Sequence, residues 1–342
     1  MSVLNLGRYA PARLRQLARL QEACGYETFW FADERFFREV YASLTFVAGQ
    51  TQKIQLGTMV TDPYSRHPAM TAMAIATLDE ISAGRAVLGL GAGVSGFSEM
   101  QVARRKPAMA MREMVTVVND LLRGATVDFQ GEVICFDHGR LDFQPLRSHI
   151  PTYIASNGPM GLALAGEVAQ GAVMQGASAD GLVDWLLAQV GRGAQRASRE
   201  RSEIDLVARL NLCLHDDAKI AKDVMRPTVV RSLVAQHPNY RTYKTAGLEL
   251  PSRLAQMIAS MGYTHDPQLL APAAALVPDT FVDATTLAGT IEEVAHNVVR
   301  MAQRGVNHIM VSPIAPDGDV ESILTRFARD VMPRVTTQLN AE

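Results

Sequence analysis

A chain of 342 residues that is 48% hydrophobic and 20% charged can bury a large core, which excludes a disordered protein. Its 33 basic against 35 acidic residues leave a formal charge of −2, so no general attraction draws it to nucleic acid or to an anionic membrane surface. Cys24, Cys135 and Cys213 lie far apart without metal-type spacing, so buried thiols are expected, with no disulfide framework and no metal site.

In chain order, residues 3–6 form the first apolar run, and Leu14, Leu17 and Ala18 follow it at helical spacing. The stretch "QEACGYETFWFAD" ends that helix at Gly25 and opens a second strand, which stops at Asp33, Glu34 and Arg35. Residues 54–60 make a third strand, and the polar side chains of Thr61, Asp62, Tyr64, Ser65, Arg66 and His67 crowd the turn before Pro68. Helix, glycine, apolar strand recurs at Gly84, Gly171 and Gly305, each placed where a helix end needs a left-handed residue. Residues 152–155 and 206–214 bring the strands to eight, and their unbroken apolar runs suit parallel strands covered on both faces.

Two regions break this alternation: about 126–142, read as a hairpin through Gln130-Gly131, and about 237–280, rich in prolines and short helical stretches. Both are expected as insertions on a single TIM-like (β/α)8 barrel spanning 1–342. The barrel is favoured over an open doubly wound sheet because strands run from residue 3 to residue 311 without a break in composition. A signal-peptide core is missing and no run reaches the ~18 apolar residues of a membrane span, so a cytoplasmic protein is expected.

Three short stretches invite chemistry, and each has a plainer reading. "GLGAGVSG" contains a formal GxGxxG at Gly91, Gly93 and Gly96, but the next long helix begins only near Pro107, which excludes the dinucleotide-binding arrangement. Glycines at a strand end still let a backbone approach a ligand phosphate or ring; a tight loop without a ligand is the plainer account. Ser156, Asn157 and Gly158 before Pro159 make a helix start whose N–H groups favour an anion such as phosphate, against simple N-capping. Asp33 and Glu34 at a strand end can orient a substrate or coenzyme or move a proton, against a surface Asp33–Arg35 pair of little worth. His308 is expected in the core or behind a site, and Met70, Met73, Met109, Met111 and Met114 are expected to pack helices.

Taken together, "CGYETFWFADERF", "LGTMVTDPYSRHP…ATLDEISAGRAVLGLGAG", "IPTYIASNGPMGLALAGEVAQGAV" and "GVNHIMVSPIAPD" resemble the luciferase-like oxidoreductase superfamily, and within it the methylenetetrahydromethanopterin reductases. The resemblance implies a TIM-like barrel that binds FMN or, as the alternative, the deazaflavin coenzyme F-420. It also implies a bulge with a cis peptide at Met59-Val60 supporting the ring, and Asp33 at the ring's polar edge. Thr61, Gly91, Gly93 and Ser95 would line the same cleft, and Ser156, Asn157 and Gly158 would hold the phosphate end. Glu34 stands where deazaflavin members commonly carry histidine, and Val94 where a carboxylate is often found.

Asp33, Glu34 and His67 are therefore the candidate catalytic residues. The expected reaction is hydride exchange with a small organic substrate, or monooxygenation by reduced FMN. A separate flavin or deazaflavin reductase and a second copy of the chain are the expected partners. A non-catalytic barrel that binds flavin or acts through its surface is the rival from another class.

Overall fold

The computed structural model describes residues 1–93 and 95–341, so Val94 lies outside the described residues. The chain divides into two compact units, Met1–Val173 with Gln189–Asp205, and Met174–Ala188 with Leu206–Glu342.

In the first unit, strands β1 (Ser2–Asn5), β2 (Thr28–Phe31), β3 (Gln55–Thr58), β4 (Ala86–Leu90) and β7 (Thr152–Ala155) alternate with helices α1 (Pro11–Ala23), α2 (Val40–Ala48), α3 (Pro68–Ile81) and α4 (Pro107–Leu122). Helix α5 (Pro159–Val168) then leads to β8 (Gly171–Gln175), where the first unit gives way to the second at Val173, and to α6 (Asp180–Arg196). Neighbouring strands pair in parallel, with Val3, Phe29, Leu56 and Ala86 in one register row. Leu14, Leu17 and Ala18 of α1 are buried, so the stripe read from the sequence is the face that packs.

Between α4 and β7, an antiparallel hairpin of β5 (Val127–Gln130) and β6 (Cys135–Gly139) leaves the barrel rhythm. The buried Glu113 of α4 holds its tip, accepting hydrogen bonds from the backbone N–H groups of Glu132 (2.6 Å), Val133 (3.0 Å) and Ile134 (2.8 Å). A Cβ at Gly131 would run into that carboxylate, which accounts for the glycine in the turn.

In the second unit, β10 (Thr286–Gly289) and β11 (His308–Pro313) both lie parallel to β9 (Asp205–Leu214). Between β9 and β10 the chain forms α7 (Ala218–Gln236) and four short helices, α8 (Arg241–Thr245), α9 (Ser252–Ala259), α10 (Pro267–Ala274) and α11 (Asp279–Thr285). Their core includes Met225, Leu233, Tyr243, Leu254 and Phe281. Helix α12 (Ile291–Gln303) opens on a capping box between Thr290 and Glu293. The parallel strands form a closed eight-stranded (β/α)8 barrel, with β10 as an additional strand. No helix among the described residues is long and apolar enough to cross a membrane.

Several expectations need correcting. Gly25, Gly84 and Gly305 have positive φ as predicted, but Gly171 does not. Helix α5 ends on the extended Ala169, and Gly171 is glycine because a Cβ there would overlap the Tyr153 ring of the neighbouring strand. Cys135 is exposed, since the two-stranded hairpin offers no second layer to cover it. Met111 and Met114 are buried, whereas Met70 and Met73 are 50% and 41% exposed on the α3 face opposite Thr71, Ala72 and Ile75.

Candidate active site

The third strand stops at Thr58, short of the predicted end at residue 60, and the reason lies in its pairing with β4. Gly57 pairs with Val87, but Thr61 is the residue that bridges to Leu90, so four steps on one strand face three on the other. One extra residue bulges out there. The Met59-Val60 peptide within the bulge is cis. Thr58 completes the ladder with its side chain, its hydroxyl donating to the Gly89 carbonyl (2.9 Å) and accepting from the Gly89 N–H (3.0 Å).

The glycines of "GLGAG" make room for this bulge. A Cβ on Gly89 would overlap the Thr58 carbonyl oxygen, and one on Gly91 would lie 2.7 Å from Val60 Cγ2. Of the three glycines that imitate a dinucleotide fingerprint, Gly91 is thus required by the bulge, while a Cβ on Gly96 would run into the Arg35 side chain. Gly93, at φ 65°, would crowd the Phe97 ring, and its carbonyl accepts a hydrogen bond from Arg104 Nη1 at 2.6 Å.

Beyond β2, Arg35 ties three loops together. Its Nη1 donates to Asp33 Oδ1 (2.7 Å), its Nη2 donates to Asp62 Oδ2 and Ser65 Oγ, and its backbone N–H donates to Ser95 Oγ (3.2 Å). The Asp33–Arg35 contact is thus no surface pair: the side chains of Asp33, Asp62 and Arg35 are 7%, 1% and 14% exposed. The two carboxylates differ in their other partners. Asp62 accepts from the N–H groups of Tyr64 and Ser65 (both 2.8 Å) and from Ser65 Oγ (2.6 Å), which pins the turn before α3.

Asp33 accepts from Thr61 Oγ1 (3.2 Å), and Thr61 Oγ1 lies 3.1 Å from the Tyr41 hydroxyl. Burial pushes the Asp33 carboxyl above its ordinary pKa, while the Arg35 and Arg66 charges and the bonds from Thr61 and Arg35 pull it back. Arg66 lies 4.8 Å over the Tyr41 ring and pairs with Glu39 at 2.8 Å. Glu34 is partly buried in the tight turn closed by the Phe37 N–H to Glu34 carbonyl bond (3.2 Å).

His67 stands apart from this group. Its Nδ1 caps α3 by accepting from the Ala69 N–H (3.2 Å), which leaves Nε2 as the donor to the Cys135 carbonyl (3.3 Å). Its ring packs 5.5 Å from Phe136, so the side chain fastens the hairpin to the start of α3.

Ser156, Asn157 and Gly158 lie between β7 and α5, with Ser156 Oγ accepting from the Gly158 N–H at 3.0 Å. No side chain caps α5, and Pro159 stands in its first turn as the sequence predicts. Gly158 has φ −90°, and a Cβ there would meet nothing nearer than Ser156 Oγ at 3.7 Å. This glycine is required neither by its backbone nor by its neighbours in the protein.

The structure therefore brings Asp33, Met59, Val60, Thr61, Gly91, Gly93 and Ser95 to the C-terminal ends of three adjacent strands, with the 156–158 turn at the end of the next. Sequence reasoning missed Tyr41, whose one signal is a hydroxyl within the otherwise apolar start of α2. Among the described residues, Asp128, Asp137 and His138 form one group with metal-ligand atoms within 4.8 Å, all exposed on the hairpin, and His138 is bonded to Asp128.

A (β/α)8 barrel with titratable groups gathered at the C-terminal strand ends is the arrangement of a barrel enzyme. The chain belongs to the luciferase-like monooxygenase family, which matches residues 4–308, and it is an oxidoreductase. It is 32% identical over 307 residues to a 5,10-methylenetetrahydromethanopterin reductase of Methanolobus tindarius, covering 89% of this chain and 91% of the relative. A second reductase of that name, from Archaeoglobus fulgidus, is 31% identical over 326 residues, covering 94% and 95% of the two chains. Among solved structures, the coenzyme F-420 dependent tetrahydromethanopterin reductase of Methanopyrus kandleri superposes with a TM-score of 0.87 at 26% identity, over 98% of this chain and 99% of that one.

Proposed function

We propose that the protein is a hydride-transfer reductase whose strand ends hold the deazaflavin coenzyme F-420 against a small organic substrate. The observation that carries the reading is the start of α5, a helix N-terminus with no side-chain cap, behind a glycine at which a Cβ would meet only Ser156 Oγ, at 3.7 Å. Such a start suits an anionic phosphate. The names of the similar solved reductase and of an F-420-dependent dehydrogenase relative favour F-420 over FMN, which the sequence alone put first. FMN with monooxygenation is the second reading, favoured by the luciferase-like monooxygenase family to which the chain belongs.

The bound coenzyme supplies the electron chemistry. The residues of the chain would position it: Met59 and Val60 of the β3 bulge would support the ring, and Asp33 would accept a hydrogen bond from its polar edge. Glu34, on the same turn as Arg35, handles the substrate or its proton. A methylene-tetrahydropterin is the first substrate to try, on the names of the relatives. A cytoplasmic homodimer served by a separate deazaflavin reductase completes the proposal.

Anaerobic mixing of the purified protein with reduced F-420 and methylene-tetrahydromethanopterin tests it. Substrate-dependent return of the oxidised F-420 absorbance is the expected result. Turnover with reduced FMN and oxygen, and none with F-420, would overturn the assignment in favour of the second reading.

A further inference from the structure

Asp33 Oδ1 accepts from the cationic Arg35 Nη1 at 2.7 Å, a contact that disfavours a proton on that oxygen. The other oxygen, Oδ2, meets Thr61 Oγ1 at 3.2 Å, and Thr61 Oγ1 meets the Tyr41 hydroxyl at 3.1 Å. Thr61 and Tyr41 are both buried, and among the described residues their hydroxyl hydrogens have only this chain of bonds to serve. We infer that Tyr41 is a positioning residue that acts on Asp33 through Thr61, fixing a one-way chain of hydrogen bonds that ends on the carboxylate and holds it as an acceptor. The inference rests on the reading of Asp33 as the group that meets the coenzyme ring.

Counting hydrogens gives the chain its direction. With Asp33 ionised, the Thr61 hydrogen goes to Oδ2 and the Tyr41 hydrogen goes to Thr61 Oγ1, so two hydrogens fill two gaps. A proton on Oδ2 would put three hydrogens into the same two gaps and strand one on a buried oxygen, a cost on the order of 1–3 kcal/mol. A hydroxyl that accepts from Tyr41 is also a stronger donor toward Asp33.

Tyr41 does not give up its own proton to the chain, since burial pushes the phenol far above its ordinary range. The charged groups around Asp33 act in the same direction or at one remove. Arg35 bonds it, Arg66 lies over the Tyr41 ring, Asp62 reaches it only through Arg35, and Glu39 only through Arg66. Glu34 is its chain neighbour. The consequence for binding is that whatever meets Asp33 has to present an N–H or O–H donor.

The test follows the Asp33 carboxyl carbon by NMR through a pH titration of the full-length, coenzyme-free protein, with Asp33→Asn supplying the assignment. Tyr41→Phe removes one hydrogen and one gap together, so only its strengthening of the Thr61 donor is lost, and the Asp33 midpoint is expected to rise by about 0.3 pH unit, roughly a twofold gain in proton affinity. Thr61→Val raises it further, and Thr61→Ser, which keeps the hydroxyl, leaves it at the wild-type position. An unchanged or lowered midpoint in Tyr41→Phe, or an equal shift in Thr61→Ser and Thr61→Val, would overturn the inference. Should Tyr41→Phe fold poorly, Tyr41→Met, which also removes the hydroxyl, takes its place with the same two outcomes. No coenzyme enters the measurement, so it stands or falls separately from the F-420 assignment.

Discussion

At the ends of β2 and β3 the polar groups are filled from within: Arg35 serves Asp33, Asp62 and Ser65, and Thr61 links Asp33 to Tyr41. Two strands further round, at the start of α5 beyond β7, no side chain caps the helix, and a Cβ on the glycine before it would meet only Ser156 Oγ, at 3.7 Å. The first region is built to hold a carboxylate in one position, and the second to receive an anion from outside. A substitution in the first should register in stability, whereas one in the second should register in affinity.

The largest effect is expected at Arg35. Arg35→Met leaves two nearly buried carboxylates without their counter-charge, and unfolding in urea should show a loss of about 3 kcal/mol. Gly89→Ala comes next, because its Cβ has no path away from the Thr58 carbonyl on a buried strand. A loss of about 2 kcal/mol is expected in the same assay. Gly158→Ala, by contrast, should stay within about 0.5 kcal/mol of wild type. Similar losses at residues 89 and 158 would erase the distinction between the two regions.

A smaller, pH-dependent effect is expected from Asp33→Asn. The folded protein raises the Asp33 pKa, so it binds that proton more tightly than the unfolded chain does. The stability this contributes is fully present below the unfolded value and is lost as pH rises through the folded one. Relative to wild type, Asp33→Asn should therefore gain stability between acidic and neutral pH. Unfolding curves at both ends check the sign, and a relative loss toward neutral pH would show that the donors outweigh burial.

Much of the barrel is legible in the sequence because its signals are local. Glycine after a helix, an apolar run after glycine, and proline opening α3 and α5 each depend on a few neighbouring residues. Gly171 misled because it looks like a helix end, whereas the Tyr153 ring on the next strand explains it. The site was readable as a set of strand ends and unreadable as a network. Arg35 looked like half of a weak surface pair because its bond to Asp62 spans 27 positions of sequence. His67 looked catalytic by type and place, yet its ring nitrogens are engaged by Ala69 and by the hairpin carbonyl of Cys135, 68 positions on. Tyr41 carried no motif at all, because its role exists only where the β3 bulge sets the Thr61 hydroxyl beside it.

The most direct test of the account is a fluorescence titration of F-420 into wild type and Gly158→Leu, with thermal melting of both proteins. Saturable binding to wild type, about tenfold weaker in Gly158→Leu at an unchanged melting temperature, is the expected result, a difference of ~1.4 kcal/mol in affinity alone. Equal affinity in a well-folded Gly158→Leu, or FMN binding more tightly than F-420 to the wild type, would contradict it.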